Sequence, residues 1–375
     1  MAVVHWNRGE HLNALVQVPQ QDDRSRGIRV NEPVLFSSGD FHVTPGHVLS
    51  AAALWSILDP YRGVLVRRIA RVEAARVQGA EVDSEALQQA SEQFRRARGL
   101  RTAQATSAWM EAWGVSLEAF TEFLEQTLIY RDLESGDRTA GTLDTALTAE
   151  ELWSAAVFGG EGEAWCHRLA ARLAAAQERG RLSDLPASLF DPASVPGLTP
   201  DALRRWIDML DLPTHWYDQL IELEAAHARF SESVLTPERL DAVMRARWST
   251  LFTMDFEMGS FHSEAAAREA CLCVTEDGVA IEEICAMAGG SFRQGRVMLG
   301  DVPDGVRTRA LSATAGTLLP VFAWDNKYMV CRVRDKSEPN LDDATIREAV
   351  GRVVLDDALR PLIQRHIQWS PGVSR

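Results

Sequence analysis

Leu318-Leu-Pro-Val-Phe-Ala-Trp-Asp-Asn-Lys-Tyr-Met-Val-Cys-Arg-Val-Arg-Asp-Lys-Ser-Glu-Pro339 closes the stretch, beginning at Leu251, that decides the fold. Read forward from Leu251, the pattern is a strand, a helix, a second helix, a loop and this final strand, as in a small sheet with helices packed on it. The first strand is placed in Leu251-Phe-Thr-Met-Asp-Phe-Glu-Met-Gly-Ser-Phe261, just ahead of a helix that starts at Ser263. Successive side chains of a strand alternate between its faces. Phe252, Met254, Phe256 and Met258 therefore share one face, opposite Thr253, Asp255 and Glu257. Two readings of that face are open. It is a layer packed beneath the domain's own helices, which is the favoured reading, or part of it joins Trp324 and Met329 in an adaptable peptide groove, since methionine repacks around varied partners.

The closing strand resembles that of the parvulin-type prolyl isomerases, in which a glycine, an aromatic, a histidine, two apolar residues, a basic residue and a valine lead into Asp-Lys and a proline. Aligned on Arg332-Val333, Tyr328 takes the aromatic's place and Met329 the histidine's. Counting back from Ser263 puts Met258 where the family has its first histidine. The resemblance implies an apolar proline pocket with two histidines facing across it, beside a Cys or Asp, to help an amide over a barrier of about 18–20 kcal/mol. Here the pocket's usual Met and Phe fall on Val302 and Val306, and the polar element after the second helix is replaced by Gly289-Gly-Ser-Phe-Arg-Gln-Gly295. What the resemblance leaves is a peptide-binding surface of Met254, Met258, Val302, Val306, Trp324, Tyr328 and Met329, with no catalytic residue and no metal or other cofactor. His262 is the one imidazole of this stretch, and a polar residue at a strand-to-helix junction reads as a solvated loop group before it reads as a displaced catalyst.

A chain of 375 residues, 46% hydrophobic and 25% charged, has room for two or three domains with cores of their own. Its formal net charge of −14 argues against nucleic acid or an anionic membrane as partner. No apolar run approaches the roughly 18 to 20 residues of a membrane span. The start, Met1-Ala-Val-Val-His-Trp-Asn-Arg-Gly-Glu10, shows no secretory pattern, and five scattered cysteines, Cys166, Cys271, Cys273, Cys285 and Cys331, read as reduced thiols, so a cytoplasmic location is expected. Cys271 and Cys273 lie two apart on a helix and point in different directions, which favours core packing over a metal pair. His5, His11 and the Cys166-His167 pair are isolated, and no phosphate-binding Gly-Lys loop or Gly-x-Ser-x-Gly elbow is present.

Upstream the chain is helical. After an N-terminal segment of residues 1–40 holding a short apolar strand or hairpin at Val30 to Phe36, capping signals stand at Thr44-Pro45, Thr199-Pro200 and Thr236-Pro237, with a capping box at Thr148 and Glu151. Trp109-Met-Glu-Ala-Trp-Gly-Val-Ser-Leu-Glu-Ala-Phe-Thr-Glu-Phe-Leu124 aligns without gaps on Trp206-Ile-Asp-Met-Leu-Asp-Leu-Pro-Thr-His-Trp-Tyr-Asp-Gln-Leu-Ile221, at an offset of 206 − 109 = 97. The echo is either a chance likeness of two amphipathic helices or, preferably, a duplicated helical unit. The segment Val82 to Leu100, with Trp109 and Gly114 to Phe120, is similar to the N-terminal helical region of the SurA-type chaperones, with Ser84 and Ser116 as helix caps. Leu235 to Trp248 looks like that family's linking helix. The final helix, from Asp342 to Trp369, carries Ile346, Val350, Val353, Val354, Leu359, Leu362 and Ile363 on one face, and the resemblance implies that it returns to complete the helical part.

The expected fold class is therefore α+β: a largely helical SurA-like part, a small parvulin-like antiparallel sheet with helices, and a returning C-terminal helix. The expected boundaries are helical units at 41–140 and 141–247, the parvulin-like domain at 248–339 and the closing helix at 340–375. The resemblance implies a non-catalytic chaperone or foldase-like accessory protein that holds an unfolded or precursor polypeptide, in a peptide-maturation pathway, with a maturation enzyme as a further partner. An active prolyl isomerase with a rearranged site and a scaffold for a folded partner enzyme stand as the second and third readings.

Overall fold

The computed structural model describes residues 33–134, 147–178, 200–324 and 327–373. In chain order these form β1 (Phe36–Ser38), β2 (Phe41–Val43), α1 (Pro45–Leu54), α2 (Leu58–Val77), α3 (Ser84–Ala97), α4 (Ala103–Trp113), α5 (Leu117–Glu134), α6 (Ala149–Gly159) and α7 (Glu161–Gln177). There follow α8 (Pro200–Met209), α9 (Trp216–Val234), α10 (Pro237–Ala246), α11 (Trp248–Leu251), β3 (Thr253–Phe261), α12 (Glu264–Leu272) and α13 (Ile281–Ala288). The chain ends with β4 (Ser291–Met298), α14 (Asp304–Ser312), β5 (Leu318–Trp324), β6 (Lys327–Ser337), α15 (Ala344–His366) and β7 (Gln368–Trp369). The class is α+β, largely helical with two small antiparallel sheets. Two compact units emerge, one of residues 33–233 with 357–373 and one of residues 234–356.

In the helical unit the start signals do their work locally. Glu151 and Thr148 exchange hydrogen bonds as a capping box, with Thr148 N–H donating to Glu151 Oε2 at 2.8 Å and Glu151 N–H to Thr148 Oγ1 at 3.2 Å. Ser116 Oγ accepts from Ala119 N–H. At α3 the cap is Asp83, not the expected Ser84: the Asp83 carboxylate accepts from Ala86 N–H and Ser84 becomes the first helical residue. The Thr199 cap lies outside the described residues, as do His5, His11 and residues 30–32 of the expected first strand. The largely aliphatic core holds an aromatic cluster. Phe94, Phe120 and Phe158 meet with centroids 4.8–6.1 Å apart, while Trp153 Nε1 donates to the Trp113 carbonyl at 2.7 Å.

The closing helix ends at His366 rather than continuing to Trp369. The last residues extend instead and add β7 to the open edge of β1, with Phe36 opposite Trp369 and their rings 4.8 Å apart. Pairing that edge satisfies backbone groups that a longer helix would leave unmet.

The second unit holds a four-stranded antiparallel sheet in the order β4-β3-β6-β5. One face carries α12 and α13, seated on Phe261 and Val330 through Ala267, Ala270, Ile281 and Ile284. The other face carries α14 and the segment before it. The stretch read as one final strand is in fact a hairpin, β5 and β6, and the glycine-rich stretch after α13 forms β4 rather than a loop. At the start of α15, Ile346, Val350 and Val354 pack with Leu240 and Leu251.

Candidate functional site

The sheet face under α14 is built by strand parity. Met254, Phe256 and Met258 of β3 stand opposite Val297, Gly295 and Arg293 of β4, and on the other side Phe256 and Met258 stand opposite Val333 and Cys331 of β6. Met329 falls on the same face, so the two positions at which the resemblance expects histidines, Met258 and Met329, share one apolar cluster with Val302 and Val306. That cluster is closed. Met254, Met258, Met329 and Val302 are 3–6% exposed, and the void they line has a volume of about 10 Å³, room for one water at most.

Of the seven candidate residues the structure brings six to this face: Met254, Met258, Val302, Val306 and Met329 in its interior and Trp324, half-buried, at its border. Tyr328 goes elsewhere. It packs on the opposite face beside α12 and α13, because neighbouring strand residues alternate and Met329 already takes this side. An adjacent pair on one strand could not have lined one surface.

Three contributors escape the sequence pattern. Phe322 of β5 and Cys331 of β6 line the void, and Arg293 of β4 spreads its guanidinium over the rings of Phe256 and Trp324, 5.5 and 5.6 Å from their centroids. The sequence marks Cys331 only as one of five reduced thiols, whereas Arg293 sits in a stretch with no readable strand alternation. Gly295 stands opposite Phe256, and a Cβ there would meet the ring at 3.6 Å, an ordinary contact distance. Burial pushes the Cys331 thiol up to about 12, with Arg293 offsetting only part of that, so at neutral pH it is a thiol and a poor nucleophile.

Apart from Arg293, the charges of β3 and its neighbours pair on the opposite side of the strand. Arg296 clamps Asp255 with two hydrogen bonds of 2.7 and 2.9 Å, and Glu257 takes Arg334 at 2.8 Å. His262 is exposed in the bend between β3 and α12. No histidine occurs between it and His366, so among the described residues the face offers no imidazole to a bound amide. Cys271 and Cys273 rest against the core under α12 and α13. Cys166 is fully buried in α7, and the neighbouring His167 ring lies 4.6 Å from that of Trp369, tilted by 46°. Among the described residues, no three His, Cys, Asp or Glu gather closely enough to hold a metal ion, and no helix is long and apolar enough to cross a membrane.

No family model matches the chain, and no curated protein matches it. Among solved structures, it is similar to the peptidylprolyl isomerase PrsA of Bacillus anthracis, at 10% identity over 54% of this chain and 94% of that one, with a TM-score of 0.31. The foldase protein PrsA of Streptococcus pneumoniae is similar at 14% identity over 62% and 92%, with a TM-score of 0.28. A structure from the pair of SurA-like chaperones of Campylobacter jejuni, PEB4 and Cj1289, is similar at 11% identity over 90% and 99%, with a TM-score of 0.20. Likeness this weak assigns neither fold nor activity.

Proposed function

We propose that the chain is a chaperone-like peptide-binding protein that holds its client without turning over prolyl bonds. The observation that carries this reading is the sheet face itself. Where a proton-handling pair would stand there are two methionines, Met258 and Met329, and the nearby Cys331 is a buried neutral thiol. Such a face, closed at rest, would have to repack to grip an apolar side chain, and among the described residues it has no group of suitable pKa to assist amide twisting. Admission of a side chain would proceed past the partly buried Phe322 and Trp324 and the exposed Arg293, with Met254, Met258, Val302, Val306 and Met329 as the floor. Tyr328 has no part in it.

The client is proposed to be an unfolded or precursor polypeptide of a peptide-maturation pathway, met in the cytoplasm, with a maturation enzyme as a further partner. Five cysteines without disulfides support the compartment. The net charge of −14 favours clients of basic character. The test is exchange spectroscopy on Ala-Pro and Glu-Pro peptides, run beside a binding titration with a permanently unfolded polypeptide. Unchanged cis-to-trans rates together with saturable binding are expected. Acceleration at micromolar protein would make the chain an isomerase, and absence of polypeptide binding would remove the chaperone reading.

A further inference from the structure

The helical unit contains a cleft of about 210 Å³, walled by Trp109 and Trp113 of α4, Leu100 and Val157, with Arg98 and Glu163 as its charged residues. Drug-sized ligands occupy roughly 300–1,000 Å³, so this volume suits a single long side chain. The two charges are not equivalent. Arg98 is already committed: its guanidinium donates to the Phe158 carbonyl at 2.8 Å, at the C-terminal end of α6, and lies 3.8 Å from the centroid of Phe94. Half-buried Glu161 also feels its charge. Glu163, half-buried in the first turn of α7, has no ion pair with any described residue. Among the described residues, the cleft therefore presents aromatic faces and, beside the committed Arg98, one carboxylate open to a further cation.

We propose that this cleft is a subsite for a basic side chain, arginine or lysine, of a bound polypeptide. The alkyl stem would lie along Trp109 and Val157 and the cationic head would meet Glu163, where the indole face adds a cation–π contribution. The overall charge of −14 steers such a residue toward the protein. The inference deepens the peptide-binding reading by naming a residue class that the client carries, yet its chemistry can be tested apart from any client.

The probe is N-acetylarginine amide, titrated while the indole N–H resonance of Trp109 is followed, that resonance being assigned by its loss in Trp109→Phe. The expected results are a saturable shift with the arginine compound, binding about tenfold weaker for the uncharged citrulline analogue, and loss of that preference in Glu163→Gln. Ala108→Phe, which fills the cleft from an exposed position on α4, should abolish the shift at unchanged melting temperature. Equal binding of arginine and citrulline compounds, a preference that survives Glu163→Gln, or no shift at all would overturn the subsite. An arginine-specific shift in a protein that binds no unfolded polypeptide would leave the subsite standing and remove the chaperone reading.

Discussion

Single side chains separate what holds the helical unit together from what it exposes. Glu224 Oε1 accepts from Arg172 Nε at 2.7 Å and from Trp55 Nε1 at 2.6 Å, while Arg168 stands 4.2 Å from the centroid of the Trp55 ring. Burial pushes the Glu224 carboxyl up, but the charge of Arg172 and the two hydrogen bonds outweigh it and hold the group below the usual carboxylate range. Removing one partner of such a pair strands the other charge. Glu224→Gln should therefore cost about 3–5 kcal/mol by urea denaturation, with much of the loss recovered in the Glu224→Leu, Arg172→Met double variant. A loss below about 1 kcal/mol would show that water reaches the pair. Phe120 is a second case: it is 4% exposed between Phe94 and Phe158. Phe120→Asp places a charge in that aromatic core, so far-UV circular dichroism should report an unfolded helical unit. A folded variant with weakened polypeptide binding would instead make Phe120 a client contact.

At the scale of elements, the sequence was most legible where a short polar signal meets the backbone. The caps at Thr148, Ser116 and Ser263 fall where the hydroxyls predicted them. Strand β3 was legible because its alternation is uninterrupted. Strand β4 was not, since as an edge strand it is exposed on both sides and its Ser-Phe-Arg-Gln-Gly-Arg sequence carries no period of two. The hairpin of β5 and β6 was read as one strand because both arms are apolar and together resemble one long run. The candidate face was half legible: parity placed the methionines together, but sequence alone gave no sign that α14 would cover them. The helical echo, read as gapless, recurs at the turn but not through the helix after it. Gly114 and Asp211 both have positive φ, 64° and 50°, and the same turn bonds recur, Gly114 N–H to Glu111 O with Val115 N–H to Met110 O, and Asp211 N–H to Asp208 O with Leu212 N–H to Ile207 O. The second helix then slips by one residue, with buried Trp216 and Leu220 matching Phe120 and Leu124 at an offset of 216 − 120 = 96. In the left-handed conformation a side chain is strained. Asp211→Gly should accordingly stabilise by up to about 1 kcal/mol. Gly114→Ala should destabilise by more than about 1 kcal/mol, because its Cβ would also stand 2.6 Å from Pro33 Cγ. Equal responses at the two turns would mean that the backbone strain is relieved in one of them.

For the molecule as a whole, half-buried imidazoles link stability to pH. Burial lowers His47 to about 4 where it stands edge-on to Trp216, with centroids 4.7 Å apart, and accepts from Thr44 N–H. Burial, reinforced by the charge of Arg172, lowers His227 to about 3. Both are neutral in the folded chain at neutral pH, whereas in the unfolded chain they titrate near the ordinary value of about 6.5. As pH falls below about 6.5 the unfolded state takes up protons that the folded state refuses, so stability declines through the window from 6.5 to about 4. It levels off for His47 near 4 and for His227 near 3, where the folded forms protonate in turn. Glu224 acts in the same direction at lower pH, because a carboxyl held low in the fold loses its contribution as acid protonates it. Urea midpoints at pH 7.5, 6.5, 5.5 and 4.5 should thus show a plateau followed by a fall. His47→Asn with His227→Asn should lower the plateau and flatten the fall above pH 4.5, since Glu224 is still ionised there. A slope unchanged by the double substitution would place the acid sensitivity in other groups, and a midpoint that rose on acidification would mean that the imidazoles are charged inside the fold.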